Sequence, residues 1–184
     1  MSVKIVPSKE CIANSSALKK QYEILIQAYA ETEIEIWGEN YVRISLNEYR
    51  ELIENEMVFT AFLENELVGT LFLSDNGNCV FSFGLLAVDF SKKGFGIGRA
   101  LIKTAEQTAI KLGGEVMALE ILKPRNQSVP FKEQLAKWYQ RQGYEFVFSK
   151  SFIELKPTKI EKAKELITDA VFDCYEKKLN SVSL

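Results

Sequence analysis

The chain has 184 residues, of which 47% are hydrophobic and 11% aromatic, so we expect a single domain over residues 1–184. The formal net charge of −2 argues against nonspecific binding of nucleic acid, and no apolar run reaches the roughly 18 residues that a membrane span requires. The start of the sequence has no signal-peptide segment, and the three cysteines have no metal-binding spacing. We therefore expect a cytoplasmic protein without a metal.

The sequence contains no histidine. This absence excludes Ser-His-Asp and Cys-His nucleophile systems, and also every zinc site that requires an imidazole ligand. Any proton transfer must therefore use a carboxylate, tyrosine, lysine, cysteine or water.

The first half of the chain predicts two helices followed by three strands. Residues 15–30 have the apolar spacing of an amphipathic helix, and a capping-box pattern of Ser45 and Glu48 predicts a second helix near residue 45. Residues 57–74 predict two strands joined by a turn at Glu64–Glu66, and residues 79–88 predict a more central strand. Gly84, inside that strand, indicates a bulge or a close backbone approach. The predicted buried face of the first helix carries Leu18, Tyr22, Leu25, Ile26 and Tyr29.

In the second half, helices alternate with strands. A helix ended by Gly113 precedes a strand at residues 115–122 and a helix between Pro130 and Gly143. A strand at residues 144–155, a short charged helix at 157–168 and a strand at 170–179 follow. This order predicts an α+β or α/β domain around a mixed sheet. The predicted buried face of the helix before Gly113 carries Ile97, Leu101, Ala105, Thr108 and Leu112.

The most informative stretch is residues 85–102, which read LLAVDFSKKGFGIGRALI. Glycine weakens a helix by roughly 0.5–1 kcal/mol, so three glycines where a helix begins indicate that a ligand comes close to the backbone. Free N–H groups at a helix start bind anions, and Lys92, Lys93 and Arg99 add positive charge there. The alternative is a plain tight turn. Neither the G-x-G-x-x-G nor the P-loop pattern of nucleotide-binding proteins is present.

This stretch resembles the acyl-CoA-binding motif of the GNAT superfamily of N-acetyltransferases, whose loop reads [RQ]-x-x-G-x-[GA]. Lysine stands at the first position of that loop, which here comprises Lys93, Gly94, Phe95, Gly96, Ile97 and Gly98. A later family motif is similar to LEILKPRN and LAKWYQRQGYEFV, at residues 119–126 and 135–147. The resemblance covers roughly residues 57 to 148.

The resemblance implies a three-layer α/β fold with a mixed, mostly antiparallel sheet and helices on both faces. The sheet would splay between its fourth and fifth strands, namely the strand ending at Val88 and the strand at residues 115–122. Acetyl-CoA would lie in that gap, with its pyrophosphate on residues 93–99 and its pantetheine arm along Leu86, Ala87 and Val88. One backbone amide there would stabilise the oxyanion that develops on the thioester carbonyl.

The resemblance also implies catalytic residues. Many members place a glutamate base where this chain has Ser82, whereas some use a position that matches Glu120, and a chain of waters is a third possibility. Tyr139 matches the tyrosine that often protonates the departing CoA sulfur. Glu120 could instead be a solvated strand residue and Tyr139 a core tyrosine. No base stands beside Cys79, so direct transfer is preferred to an acyl-enzyme.

The acceptor is an amine whose identity the sequence leaves open. Residues 30–41 combine two aromatic residues with four glutamates and would suit a cationic amine, although such a run is also typical of a solvated face. Arg125 and Asn126, in a long connection at residues 123–129, could shape the pocket. The leading hypothesis is an N-acetyltransferase, monomeric or homodimeric. The alternatives are a non-catalytic CoA-binding domain, which Ser82 favours, and a nucleotide-binding domain. The residues of the acidic aromatic run are Glu31, Glu33, Glu35, Trp37, Glu39 and Tyr41.

Overall fold

The computed structural model describes residues 2–12, 15–55 and 57–179. Within them the strands are β1 (Val3–Pro7), β2 (Met57–Leu63), β3 (Glu66–Asp75), β4 (Val80–Val88), β5 (Val116–Pro124), β6 (Glu145–Ser151) and β7 (Ala170–Lys178). The helices are α1 (Ser8–Cys11), α2 (Ser15–Thr32), α3 (Ile34–Trp37), α4 (Leu46–Asn55), α5 (Ile97–Lys111), α6 (Pro130–Gln140), α7 (Phe152–Leu155) and α8 (Ile160–Ala163), with a 3-10 turn at Phe90–Lys92. Among the described residues, no helix has the length and apolar character needed to cross a membrane.

The strands form one mixed sheet in the order β1-β2-β3-β4-β5-β7-β6. Neighbouring strands are antiparallel except β4 and β5, which are parallel. These two pair only at Val80–Val116, Phe81–Met117 and Ser82–Ala118, although each strand continues for six further residues. The predicted mixed sheet, and its splay between the fourth and fifth strands, are confirmed.

A bulge in β4 lies next to the splayed region. Thr70 of β3 faces Ala87 and Phe72 faces Gly84, so β4 carries an extra residue at this point. Leu85 takes up the distortion with a left-handed φ of 49°, which is strained for a branched side chain. The bulge predicted near Gly84 is therefore confirmed. The close backbone approach occurs across the strand pair instead, because a Cβ at Gly69 would lie 2.8 Å from the Ala87 carbonyl oxygen.

Helices cover both faces of the sheet, as predicted. On one face α5 and α6 pack on a core that includes Leu101, Ala105 and Met117, and on the other face α2 and α4 enclose Leu25 and Tyr49. The predicted face of α5 was wrong at its last position. Leu112 is 58% exposed because the helix ends at Lys111, and Ala109 occupies the last buried position instead. Gly113 follows with a φ of 87°, as a helix terminator does.

The buried face of α2 is polar at its centre, which the apolar spacing did not predict. Gln21 is fully buried, whereas Tyr22, Ile26 and Tyr29 are partly exposed. The side-chain amide nitrogen of Gln21 donates to Thr70 Oγ1 and Tyr49 OH at 2.8 Å, and the side-chain carbonyl oxygen of Gln21 accepts from Thr60 Oγ1 at 2.7 Å. Ser8 joins the same network through Thr60 and Gln21, and Tyr49 also bonds to Thr70. The network thus connects α2 and α4 to β2 and β3.

Several element boundaries differ from the predictions. The strand predicted over residues 144–155 ends at Ser151, where Ser151 and Glu154 form a capping box that starts α7. The charged helix predicted at residues 157–168 is limited to the four residues of α8. The elements β1, α1 and α3 were not predicted. The capping box of Ser45 and Glu48 is confirmed, with the Glu48 N–H donating to Ser45 Oγ at 3.2 Å.

Candidate active site

Two clefts open where β4 and β5 diverge. We call them the α5 cleft and the α4 cleft, after the helix that borders each. The α5 cleft has a volume of about 790 Å³ and is lined by β4 residues 86–88, by residues 92–94 and 96–99 before and within α5, and by α6. The α4 cleft, of about 1120 Å³, is lined by residues 42–45, by α4, by β4 residues 82–85 and by lysines around α8. The two clefts share the lining residues Tyr29, Glu33, Glu120 and Leu122.

The glycine loop borders the α5 cleft and leaves it open. Gly94 and Gly96 have φ values of 88° and 75°, which an L-amino acid rarely adopts, and Gly96 is the N-cap of α5. A Cβ at either position would meet no described atom within 4 Å, whereas a Cβ at Gly98 would lie 3.3 Å from the Trp138 ring. The first N–H groups of α5 have no partner within the helix, so the loop can hold a phosphate.

Of the three basic side chains around this loop, Lys92 is paired with a carboxylate, whereas Lys93 and Arg99 form no ion pair with the described residues. Lys92 forms an ion pair with Glu66 at 2.8 Å, and Lys93 lies 4.1 Å from the centre of the Phe90 ring. Phe95 is 44% exposed and lines a neighbouring groove rather than the α5 cleft. The other predicted cofactor residues all line the α5 cleft: Leu86, Ala87, Val88, Lys93, Gly94, Gly96, Ile97, Gly98 and Arg99.

Tyr139 of α6 also lines the α5 cleft. Its side chain is 6% exposed and packs against Phe83 and Tyr144, with ring centres 5.9 and 6.0 Å away. Burial, with a smaller effect of Tyr29, raises the pKa of Tyr139 far above its usual range. The hydroxyl group is therefore protonated at neutral pH.

Glu120 lies where the two clefts meet. Its carboxylate oxygens accept from Lys156 Nζ at 2.8 and 2.7 Å. Ser82, at the position that often holds the family base, lines the α4 cleft and donates from Oγ to Asn76 Oδ1 at 3.2 Å. Cys79 is exposed in the turn before β4 and lines neither cleft. The structure thus brings Glu120 and Tyr139 to the same gap and leaves Cys79 outside it.

A family comparison decides the class of this protein. The family model described as acetyltransferase (GNAT) family matches residues 22–144. The chain belongs to the GNAT acetyltransferase family. Membership makes it an acyltransferase, and the matched span contains the glycine loop, Glu120 and Tyr139.

Solved structures share this GNAT fold at low sequence identity. An aminoglycoside 6'-N-acetyltransferase complexed with coenzyme A matches with a TM-score of 0.71 and 16% identity, over 98% of each chain. The ribosomal-protein-alanine N-acetyltransferase from Brucella melitensis matches with a TM-score of 0.66 and 15% identity, over 97% of this chain and 100% of the other. A protein assigned as a streptothricin acetyltransferase from Bacillus anthracis str. Ames, complexed with acetyl coenzyme A, matches with a TM-score of 0.56 and 23% identity, over 76% of this chain and 75% of the other. A search of curated sequences gives no match.

The acidic aromatic run of this GNAT protein does not form the open cationic-amine pocket that its composition indicated. Glu33 lines both clefts, but its carboxylate is buried between Lys132 Nζ and Trp37 Nε1, each 3.0 Å away. The Trp37 ring stacks on Tyr41 in the core, with ring centres 4.6 Å apart. The remaining glutamates are exposed and line neither cleft: Glu31, Glu35 and Glu39.

The connection at residues 123–129 is also outside the GNAT clefts. Arg125 forms an ion pair with Asp169 at 2.7 Å. Arg125 and Asn126 line a smaller pocket of about 420 Å³ together with Lys132 and Asp173. Arg125 and Asn126 therefore line neither cleft, and their part in shaping the acceptor pocket stays a prediction.

Sequence reasoning missed several cleft residues. Tyr29 lies in both clefts, 5.3 Å from the Arg43 guanidinium, and burial raises the pKa of Tyr29 to about 12 although Arg43 opposes the shift. Arg43, Lys159 and Lys162 all line the α4 cleft. No local pattern marks these residues, because segments more than 100 residues apart in the chain assemble this wall.

Proposed function

We propose that this protein is an N-acetyltransferase of one domain that moves an acetyl group from acetyl-CoA directly to a primary amine. The observation that carries the proposal is the meeting of two clefts at the splayed strands. One cleft has a glycine loop and a helix start suited to phosphate, and the other opens on the opposite side of the same gap. A donor and an acceptor could therefore approach each other at β4.

The α5 cleft fits acetyl-CoA in two respects. The space in front of Gly94 and Gly96, together with the free N–H groups of α5, would accommodate the pyrophosphate. Beyond Ser82, β4 forms no further pairs with β5 among the described residues. Backbone groups of Leu86, Ala87 and Val88 would align the pantetheine arm there, and one N–H group would stabilise negative charge on the thioester carbonyl oxygen.

In the reaction, the neutral amine nitrogen attacks the thioester carbonyl carbon, a C–N bond forms and the C–S bond breaks. The Tyr139 hydroxyl would give its proton to the departing sulfur. The amine loses a proton, which Glu120 would accept either directly or through water. Lys156 Nζ contacts both carboxylate oxygens of Glu120. At least one of these contacts must therefore lengthen or break when Glu120 accepts a proton from the acceptor amine.

Amine-dependent release of CoA, measured with a thiol reagent, tests the proposal. We expect Tyr139→Phe and Glu120→Gln each to lower kcat by about 100-fold or more, since general acid–base catalysis contributes roughly that factor. Acetyl-CoA affinity should persist in both variants. Tyr144→Phe and Glu176→Gln are matched controls, because Tyr144 is buried beside Tyr139 and Glu176 is an exposed strand glutamate, yet neither residue lines a cleft.

Equal losses in the variants and their controls would contradict these two roles. Acetyl-CoA binding without turnover on any amine would favour the non-catalytic CoA-binding alternative. Stabilisation by NAD or ATP rather than by acetyl-CoA would favour a nucleotide-binding domain. A ligand at 100 times its Kd raises the free energy of unfolding by about 2.7 kcal/mol, so a thermal-shift measurement with each ligand distinguishes these outcomes.

A further inference from the structure

The wall of the α4 cleft carries four basic side chains from two distant segments. Arg43 comes from the segment before α4, and the lysines come from the region around α8. Lys162 Nζ donates to the Arg43 carbonyl oxygen at 3.0 Å and so joins the two segments. This basic wall consists of Arg43, Lys156, Lys159 and Lys162.

Most of this positive charge has no carboxylate partner within the described residues. Lys156 is paired with Glu120, but neither Arg43 nor Lys159 has a carboxylate oxygen within 4.0 Å in that part of the chain. The Nε atom of Arg43 is buried and has no hydrogen-bond partner there either. Lys162 contacts the Arg43 carbonyl and lies over the rings of Trp37 and Tyr41.

Two of the four carboxylates that line the same cleft are paired with lysines. Glu33 binds Lys132 and Trp37, Glu48 binds the Ser45 cap, and Glu120 binds Lys156. Glu51 lies exposed on α4 and is the remaining carboxylate among the residues that line this cleft. Glu48 keeps its charge as well, because its Ser45 partners are neutral groups. Three cations thus face the cleft with two carboxylates, Glu48 and Glu51, to balance them.

The ionisation of the lysines agrees with this crowding of like charge. Burial, and next the nearby Arg43, lower the pKa values of both Lys159 and Lys162 below the usual lysine value. An incoming anion would relieve this repulsion. An arginine fork also matches the two oxygens of a carboxylate or phosphate, whereas a polycationic acceptor would be repelled.

We infer that the acceptor carries an anionic group, a carboxylate or a phosphate, in addition to its amine, and that Arg43, Lys159 and Lys162 bind it. This inference rests on the proposed function. The amine would then point toward the β4–β5 gap, where Glu120 lines both clefts, while the anionic group occupies the outer basic wall. Small amino acids and phosphorylated amines have this chemistry.

The test compares matched acceptors by kcat/KM. Amino acids are compared with their carboxamides, and phosphoethanolamine with ethanolamine, so that the two arms separate a carboxylate from a phosphate. We expect an anionic acceptor to exceed its neutral partner by about 10- to 100-fold, the usual effect of one or two charge-assisted hydrogen bonds. The variants Arg43→Gln and Lys159→Gln should each remove much of this preference through KM.

Lys164→Gln is the control, because Lys164 is exposed near α8, paired with Glu161 and outside the cleft. Neutral amines that react as well as anionic ones, or a preference that survives both Arg43→Gln and Lys159→Gln, would overturn the inference while leaving the acetyltransferase function intact. A second measurement needs no turnover. The ligands are N-acetyl amino acids or N-acetylphosphoethanolamine, compared with their neutral analogues. Arg43→Gln and Lys159→Gln should weaken binding of the anionic ligands and leave binding of the neutral ones unchanged. Equal binding of anionic and neutral ligands by the unmodified protein would overturn the inference.

Discussion

At the residue scale, two glycines allow the effect of backbone conformation on stability to be measured separately from an effect on ligand binding. Gly96 and Gly77 have nearly equal φ values of 75° and 77°, and a Cβ at either position would meet no described atom within 4 Å. Gly96 starts α5 at the edge of the α5 cleft, whereas Gly77 lies in the turn between β3 and β4 and lines neither cleft. The two positions thus form a matched pair.

We predict that Gly96→Ala and Gly77→Ala each lower the free energy of unfolding by about 1–2 kcal/mol, the cost of the left-handed conformation for alanine. Gly96→Ala should in addition weaken acetyl-CoA binding by about tenfold or more, because a methyl group then stands where the phosphate comes close. Urea unfolding and calorimetric titration measure the two effects. Equal acetyl-CoA affinity in both variants would show that the loop does not hold the ligand.

The residue scale also shows what the sequence could reveal about the site. Gly94 and Gly96 belong to a local glycine pattern that predicted a ligand close to the backbone, whereas Tyr139 was assigned to the site only by resemblance to the family motif; all three line the α5 cleft. Arg43 and Lys162 meet only through the tertiary fold, across 119 positions of sequence. Glu33 looked like part of an acidic surface, but burial with Lys132 makes it structural. Pairing of charges depends on distant segments, and composition does not encode it.

At the element scale, the position of α2 depends on a buried polar network as well as on apolar packing. Gln21 bonds to Thr60, Thr70 and Tyr49, and every one of these residues is fully buried. Buried polar groups that lose their partners cost about 1–3 kcal/mol each. Since α2 carries Tyr29 into both clefts, the network also places part of the site.

We predict that Gln21→Leu lowers the free energy of unfolding by about 2–4 kcal/mol, because it leaves several buried hydroxyl groups without their amide partner. Gln27→Leu on the same helix is the control, since the Gln27 side chain is exposed and bonds to Glu31 alone among the described residues. It should change stability by less than about 0.5 kcal/mol. Urea unfolding of both variants measures the difference, and similar losses would contradict the network's role.

Elements were predictable where their signals are local and strong. The capping box at Ser45, the hairpin of β2 and β3, and the termination of α5 by Gly113 all follow from neighbouring residues. The end of β6 at Ser151 was missed because apolar residues resume after the polar residues 149–151. Phe152 instead starts α7 and packs against Trp37 and Phe172. Apolar periodicity likewise predicted Tyr22 on the buried face of α2. That face instead carries Gln21, which bonds to Thr70 of β3, and Tyr22 is partly exposed.

At the scale of the whole molecule, the sheet is continuous but weakly joined at its centre. Three residue pairs connect β4 to β5, so the backbone edges of β4 residues 83–88 and β5 residues 119–124 face the gap. A ligand bound along β4 would occupy these edges and bridge the two halves of the sheet. Its effect should therefore appear in local backbone protection as well as in overall stability.

We predict that acetyl-CoA slows hydrogen exchange most strongly at residues 84–88 and 93–99, because bound ligand would shield the β4 edge and the start of α5. Residues 75–79 in the β3–β4 turn serve as the internal reference, since none of them lines the α5 cleft. Hydrogen–deuterium exchange with mass spectrometry measures all three segments in one experiment, with NAD or ATP as the control ligand. If acetyl-CoA protects the turn as much as the loop and β4, it stabilises the fold globally without lying in the gap, and the placement of the donor along β4 is wrong.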